Sequence, residues 1–161
     1  MSKEKPIIVW FRRDLRVSDH PALSAACAAG VPVIAVFIKD DIVDGLGAAP
    51  KWRLGKALEV FTQTLARLNI PLILREGPAG DVLDALITET DAQGVYWSRL
   101  YDPACVTRDT AIKADLRSKG LEARSFGGHL MFEPWTVETK TGGMYKVYTP
   151  FWRSVKDRNV D

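Results

Sequence analysis

A dense group of charged side chains follows directly on an apolar run. Ile7–Phe11 is continuously hydrophobic, and the next five positions hold Arg12, Arg13, Asp14 and Arg16. A guanidinium presents a rigid fork of N–H donors suited to carboxylates and phosphates, and an adjacent carboxylate can pair with it or orient it. Arg13 and Asp14 are therefore candidates to form a fixed ion pair, to hold an anionic ligand, or to dock a neighbouring domain. Two other polar stretches follow apolar runs in the same way: Lys39-Asp40-Asp41 after Val33–Ile38, and Ser98–Asp102 after Val95–Trp97.

Other chemistries lack their residues. Gly45-Leu46-Gly47 misses the third glycine of a dinucleotide fingerprint and follows no strand directly, and no GxxxxGK[ST] phosphate loop occurs. The two histidines, His20 and His129, have no partner at metal-ligand spacing and read as caps or loop residues. No serine or cysteine sits in a nucleophile elbow. Cys27 and Cys105 lie far apart and outside any CxxC pattern, so they read as two small buried thiols of a reduced chain. What is left is a binding crevice without a catalytic set.

The elements that must position these residues repeat one pattern: a short apolar run, a polar connection, an amphipathic helix, then Gly or Asn. Ile7–Phe11, Val33–Ile38, Leu72–Leu74 and Val95–Trp97 have the β-branched and aromatic character of buried parallel strands. Leu121–Phe126 alternates apolar with polar and reads as an edge strand. Leu54, Leu58, Phe61, Leu65 and Leu68 form a helical stripe; Leu83, Leu86 and Ile87 mark another helix, Cys105, Ile112 and Leu116 a third, and Pro21–Ala29 an alanine-rich one. Gly30, Asn69, Gly94 and Gly120 stand at the helix-to-strand joins, where a left-handed residue closes a helix. The pattern predicts an α/β fold, a doubly wound five-stranded parallel sheet flanked by helices. In such a sheet ligands bind beyond the carboxyl ends of the strands. The three polar stretches all fall there, so their charges line a rim rather than a core.

Composition sets outer bounds. The chain has 161 residues, 47% hydrophobic and 26% charged, which suits one domain with a real core. A net charge of +2, with the signs mixed along the chain, gives no sign of a strongly basic nucleic-acid binder. The start MSKEKPIIVW lacks the apolar stretch of a signal peptide, and no run approaches the roughly 18 residues that span a bilayer. A soluble cytoplasmic chain without membrane or metal partners is the expectation.

After Phe126 the repeat stops. Residues 1–127 read as the α/β core and 128–161 as loop, a short strand over Met144–Thr149, and a helix opening at Thr149-Pro150 with Thr149 as cap. Phe151, Trp152 and Val155 give that helix an apolar side, so an exposed hydrophobic patch is expected at Trp152 and Val155, and the chain reads as the front part of something longer.

The stretch WFRRDLRVSDHPAL resembles the opening of the DNA photolyase/cryptochrome family. The likeness continues through 35–40 (AVFIKD), 95–97 (VYW), 101–103 (YDP), 126–130 (FGGHL) and 145–152 (YKVYTPFW), in order along nearly the whole chain. The resemblance implies an amino-terminal domain that carries a light-harvesting antenna pigment. Beyond Asp161 it implies a helical carboxyl-terminal domain that holds FAD, docks damaged DNA, and splits cyclobutane pyrimidine dimers flipped out of the duplex. The 161 residues alone are expected to be inactive. The same domain of a cryptochrome photoreceptor is one alternative, and a free-standing nucleotide-binding or docking module is another.

The resemblance also implies an antenna crevice formed by Arg13, Asp14, Phe37, Asp40, Trp52, Tyr101 and Asp102. Deazaflavin-holding members have an aromatic at the Phe37 position, an acid at Asp40 and an arginine near Arg13; these match. They tend to have an arginine where Trp52 stands and an acid where Leu100 stands; these do not. Lys39 replaces the apolar residue usual before Asp40. Folate-holding members use a Tyr-Glu carboxylate, here Tyr101-Asp102. Losing two charge-assisted bonds, each worth about 1.5–3 kcal/mol, disfavours deazaflavin. Methenyltetrahydrofolate is the favoured antenna, with another flavin-like pigment or an empty crevice as alternatives.

Overall fold

The computed structural model describes residues 4–160. Five strands form one parallel sheet: β1 (Ile7–Phe11), β2 (Val33–Lys39), β3 (Leu72–Glu76), β4 (Gly94–Ser98) and β5 (Glu122–Phe126), in the order β3-β2-β1-β4-β5. The direction of winding reverses between β1 and β4, whose register pairs Ile7 with Gly94 and Trp10 with Trp97. The expected doubly wound sheet is present, with β5 at an edge.

Alternation along the strands divides the core into two layers. Ile8, Trp10, Val36, Ile38, Val95 and Trp97 point to one face, where they are covered by Leu83 and Leu86 of α4 (Ala79–Thr90) and Ile112 and Leu116 of α5 (Pro103–Ser118). Ile7, Val9, Phe11, Ala35 and Tyr96 point to the other face, under α1 (Pro21–Ala28) and Phe61 and Leu65 of α3 (Ala48–Ala66). Trp10 and Trp97 are almost fully buried, their rings 6.2 Å apart. Each large side chain so buried contributes about 1.5–3 kcal/mol.

Several local expectations need correction. A short helix, α2 (Asp41–Asp44), follows β2 because Asp40 caps it, its Oδ1 accepting from the Val43 N–H at 3.0 Å. Leu68 lies past the end of α3 and is 52% exposed, so it extends no apolar stripe. Gly30, Asn69 and Gly120 close their helices with φ of 72°, 58° and 75°, as the pattern required. Gly94 does not: the left-handed residue after α4 is Asp91, and Gly94 opens β4. Its lack of a side chain has another cause, since a Cβ there would lie 2.7 Å from the Glu122 carbonyl oxygen of β5. Cys105 is buried but Cys27 is exposed on α1; both are free thiols.

The chain separates into two compact units, a larger one ending at Gly128 and a smaller one beginning at His129. The smaller holds a short 3₁₀ turn (Pro134–Thr136) and α6 (Tyr148–Val155), and no strand forms among its described residues. Helix α6 begins at Tyr148, before Thr149, and its cap position, Val147, supplies no side-chain bond. Pro150 is accommodated because the first-turn N–H groups of a helix have no intrahelical partner. Tyr148 stacks on Trp152 with rings 8° from parallel. Of the expected patch, Trp152 is 48% exposed while Val155 is buried.

Candidate functional site

The turn leaving β1 sends its charges in different directions. Arg12 keeps the side of the strand that Trp10 occupies and is buried, donating to Asp109 Oδ2 of α5 at 2.6 Å and to the Ser98 carbonyl of β4. Burial pushes the Arg12 pKa down from its ordinary value, and the Asp109 carboxylate opposes that shift. Asp109 also accepts from Arg108 at 2.8 and 3.0 Å, and Arg108 in turn donates to Asp40 Oδ2. Ser98, Arg12, Asp109, Arg108 and Asp40 thus form a chain of contacts that ties β4, β1, α5 and the start of α2 together. The Arg12 and Arg108 guanidiniums lie 4.6 and 4.8 Å from the Trp10 ring centroid.

Asp14 turns inward and does not pair with Arg13. It accepts the Arg12 N–H at 2.9 Å and meets His20 Nε2 at 2.8 Å, with both side chains buried. Burial alone would raise the Asp14 pKa, but the close approach of the His20 and Ser98 side chains and the hydrogen bond from the Arg12 backbone outweigh it and hold the carboxyl well below the usual carboxylate range. His20 Nδ1 accepts from the Leu23 N–H at 3.1 Å as the cap of α1, which leaves Nε2 to carry the ring proton toward Asp14. Arg13 is exposed and pairs with Asp102 at 2.7 Å. Arg16 donates to the carbonyls of Asp19 and Gly128 at 3.0 and 2.8 Å.

Above the buried chain of ion pairs lies a cleft of about 720 Å³. Its floor is the tips of β1 and β2, its far wall is Leu100 and Arg108, and its near wall is α2 with the first half of α3. Phe37, Ile42, Leu46, Leu54 and Leu100 make the lining largely apolar. Arg13 and Arg53 stand on it with Asp40. It sits at the strand ends where the winding reverses, the place at which open α/β sheets hold ligands.

Of the sequence-expected residues, Arg13, Phe37 and Asp40 line this cleft, and Asp14 lies outside its lining, buried against His20 and the Arg12 N–H. Tyr101 is half-buried outside the lining, and Asp102 reaches it only through Arg13. Trp52 is 69% exposed and does not line it; Arg53, the next residue, does. Sequence reasoning missed Arg53, Arg108 and Asp109. A signal for Asp109 was present: it falls on the apolar stripe Cys105, Ile112 and Leu116, and a charge on a helix face meant for burial needs a buried partner. Among the described residues no cluster of side chains could hold a metal ion, and no helix is long and apolar enough to cross a membrane.

The sequence model of the DNA photolyase family matches residues 7–160. A deoxyribodipyrimidine photo-lyase of Agrobacterium fabrum is 46% identical over 154 residues, a match that covers 96% of this chain and 32% of that protein. Cryptochrome-2 of Arabidopsis thaliana is 34% identical over 166 residues, covering 100% of this chain and 27% of that protein. The crystal structure of a bacterial class III photolyase from Agrobacterium tumefaciens superposes with a TM-score of 0.92 at 43% identity, over 99% of this chain and 33% of that chain. The chain therefore spans about a third of the length of the curated photolyase relative it matches.

Proposed function

The chain belongs to the DNA photolyase family, and from that premise we propose that it is the pigment-holding α/β domain of a deoxyribodipyrimidine photolyase. The observation that carries this reading is the cleft of about 720 Å³ at the sheet's winding reversal, apolar on its walls and bordered by Arg13 and Arg53. Apolar walls suit the faces of a flat heterocycle, and guanidiniums at the rim suit its carbonyl or carboxylate edge. A pigment bound there supplies absorption of near-ultraviolet or blue light. The protein's own groups would bind and orient it: Phe37 and Leu100 offer apolar contact to its faces, and the Arg108–Asp40 pair pins the α2 wall.

The rest of the activity belongs to the same proposal. In the whole protein, a carboxyl-terminal helical domain would hold FAD, whose reduced form would supply electron-transfer chemistry for dimer repair, and would dock the damaged DNA. A cytoplasmic location is part of the reading. The cryptochrome alternative is less favoured because identity to the photolyase relative is higher.

On pigment identity, the argument from Trp52 against a deazaflavin weakens, since Arg53 places a guanidinium on the cleft one residue away. Leu100 still puts an apolar side chain where a deazaflavin would take a carboxylate, so methenyltetrahydrofolate stays ahead. The test is titration of the purified chain with methenyltetrahydrofolate and with a deazaflavin, followed by absorbance and fluorescence. Micromolar binding of either with a shifted spectrum is the expected result; failure of both to bind overturns the reading.

A further inference from the structure

A second cleft of about 430 Å³ adjoins the first, and the two share Phe37, Val43 and Leu54. It runs under the first half of α3 toward the tips of β2 and β3. Three features show that this space is kept open. Helix α3 buries only Phe61 and Leu65, in its second half, so Leu54 and Leu58 of the same stripe stand off the sheet. Gly55 occupies the interior of this 19-residue helix, where glycine is among the poorest helix formers. No neighbour demands it there, since a Cβ at Gly55 would meet nothing within 4 Å. A larger side chain would grow into the cleft that Gly55 lines.

The third feature is charge. Asp44 and Glu76, the two carboxylates on this cleft, are both taken up by Lys39 at 3.3 and 2.7 Å, and Arg75 pairs with Glu89 at 3.1 Å. The Lys51 ammonium on the same lining pairs with no carboxylate among the described residues. We propose that the second cleft is a subsite for an anionic extension of the ligand in the first. The flat head lies between Phe37 and Leu100, and a flexible carboxylated or phosphorylated tail passes Gly55 and meets Lys51.

This inference rests on the pigment reading, and the experiment separates the two. The chain is titrated with head-matched pairs: methenyltetrahydrofolate as mono- and pentaglutamate, and riboflavin with FAD. In whichever pair binds, the tailed member binds about tenfold tighter to the native chain. Gly55→Leu abolishes that advantage and leaves the tail-less member's affinity unchanged. Lys51→Gln, a surface change that cannot unfold the domain, reduces it about threefold at low salt. Equal binding of tailed and tail-less members, or an advantage that survives both substitutions, overturns the subsite and leaves the pigment reading standing. Failure of all four probes overturns the pigment reading and the subsite with it.

Discussion

Arg12 and Asp109, 97 positions apart, meet in a 2.6 Å ion pair beneath the cleft floor. The pair fastens the end of β1 to α5, and Arg108 extends it to Asp40 at the start of α2. A buried ion pair adds little net stability, but losing one partner leaves the other charged and dry.

Asp109→Ala is therefore expected to destabilise the domain by about 3–5 kcal/mol, since it strands the Arg12 guanidinium. Replacing both members, as in Arg12→Met with Asp109→Leu, is expected to cost much less. Urea denaturation of the two variants measures the difference.

The depressed carboxyl of Asp14 sets the acid limit of the fold. Its folded pKa lies below its ordinary value of 3.8, so its contribution to stability is complete above that value. The contribution is lost as pH falls below 3.8 toward the lower folded pKa. Asp14→Asn is expected to cost about 1–3 kcal/mol at neutral pH, with the gap to the native chain narrowing under acid. Thermal melts at a series of pH values follow this gap.

Gly94→Ala places a methyl 2.7 Å from the Glu122 carbonyl oxygen and 2.9 Å from the Glu122 Cβ, both in β5. These are backbone-anchored atoms that cannot swing aside, so the edge strand has to shift. A loss of about 1–3 kcal/mol is expected, with faster amide exchange along β5 than elsewhere in the sheet.

At the cleft, Arg53→Ala is expected to weaken pigment binding about tenfold with little change in melting temperature, because its guanidinium is exposed and lines the cleft. Trp52→Arg should leave deazaflavin binding unchanged, since that side chain is on the outside of α3. Fluorescence titration distinguishes the two positions, although they are adjacent in sequence.

The strands and long helices were legible because burial imposes short periods that a single segment displays. Ile7–Phe11 and the stripe Leu83, Leu86, Ile87 each announce their own element. The brief helix at Asp41–Asp44 was less so, as four residues are too few to show a period and its signal was a cap that also resembled a ligand.

What the sequence by itself determined was the sheet, the end of it at which the charged turns gather, and the family. These follow from alternation, chain order and motifs carried by contiguous residues. Only the tertiary structure decided partners: Arg12 with Asp109, Arg13 with Asp102, Asp14 with His20, and Arg53 rather than Trp52 at the cleft. The physical reason is directional. Successive side chains leave a strand end or a helix in different directions, and an ion pair depends on how two remote segments are oriented at a few ångströms. Hydrophobic periodicity says which face of each segment is buried, but it carries no information about which charge waits on the other side.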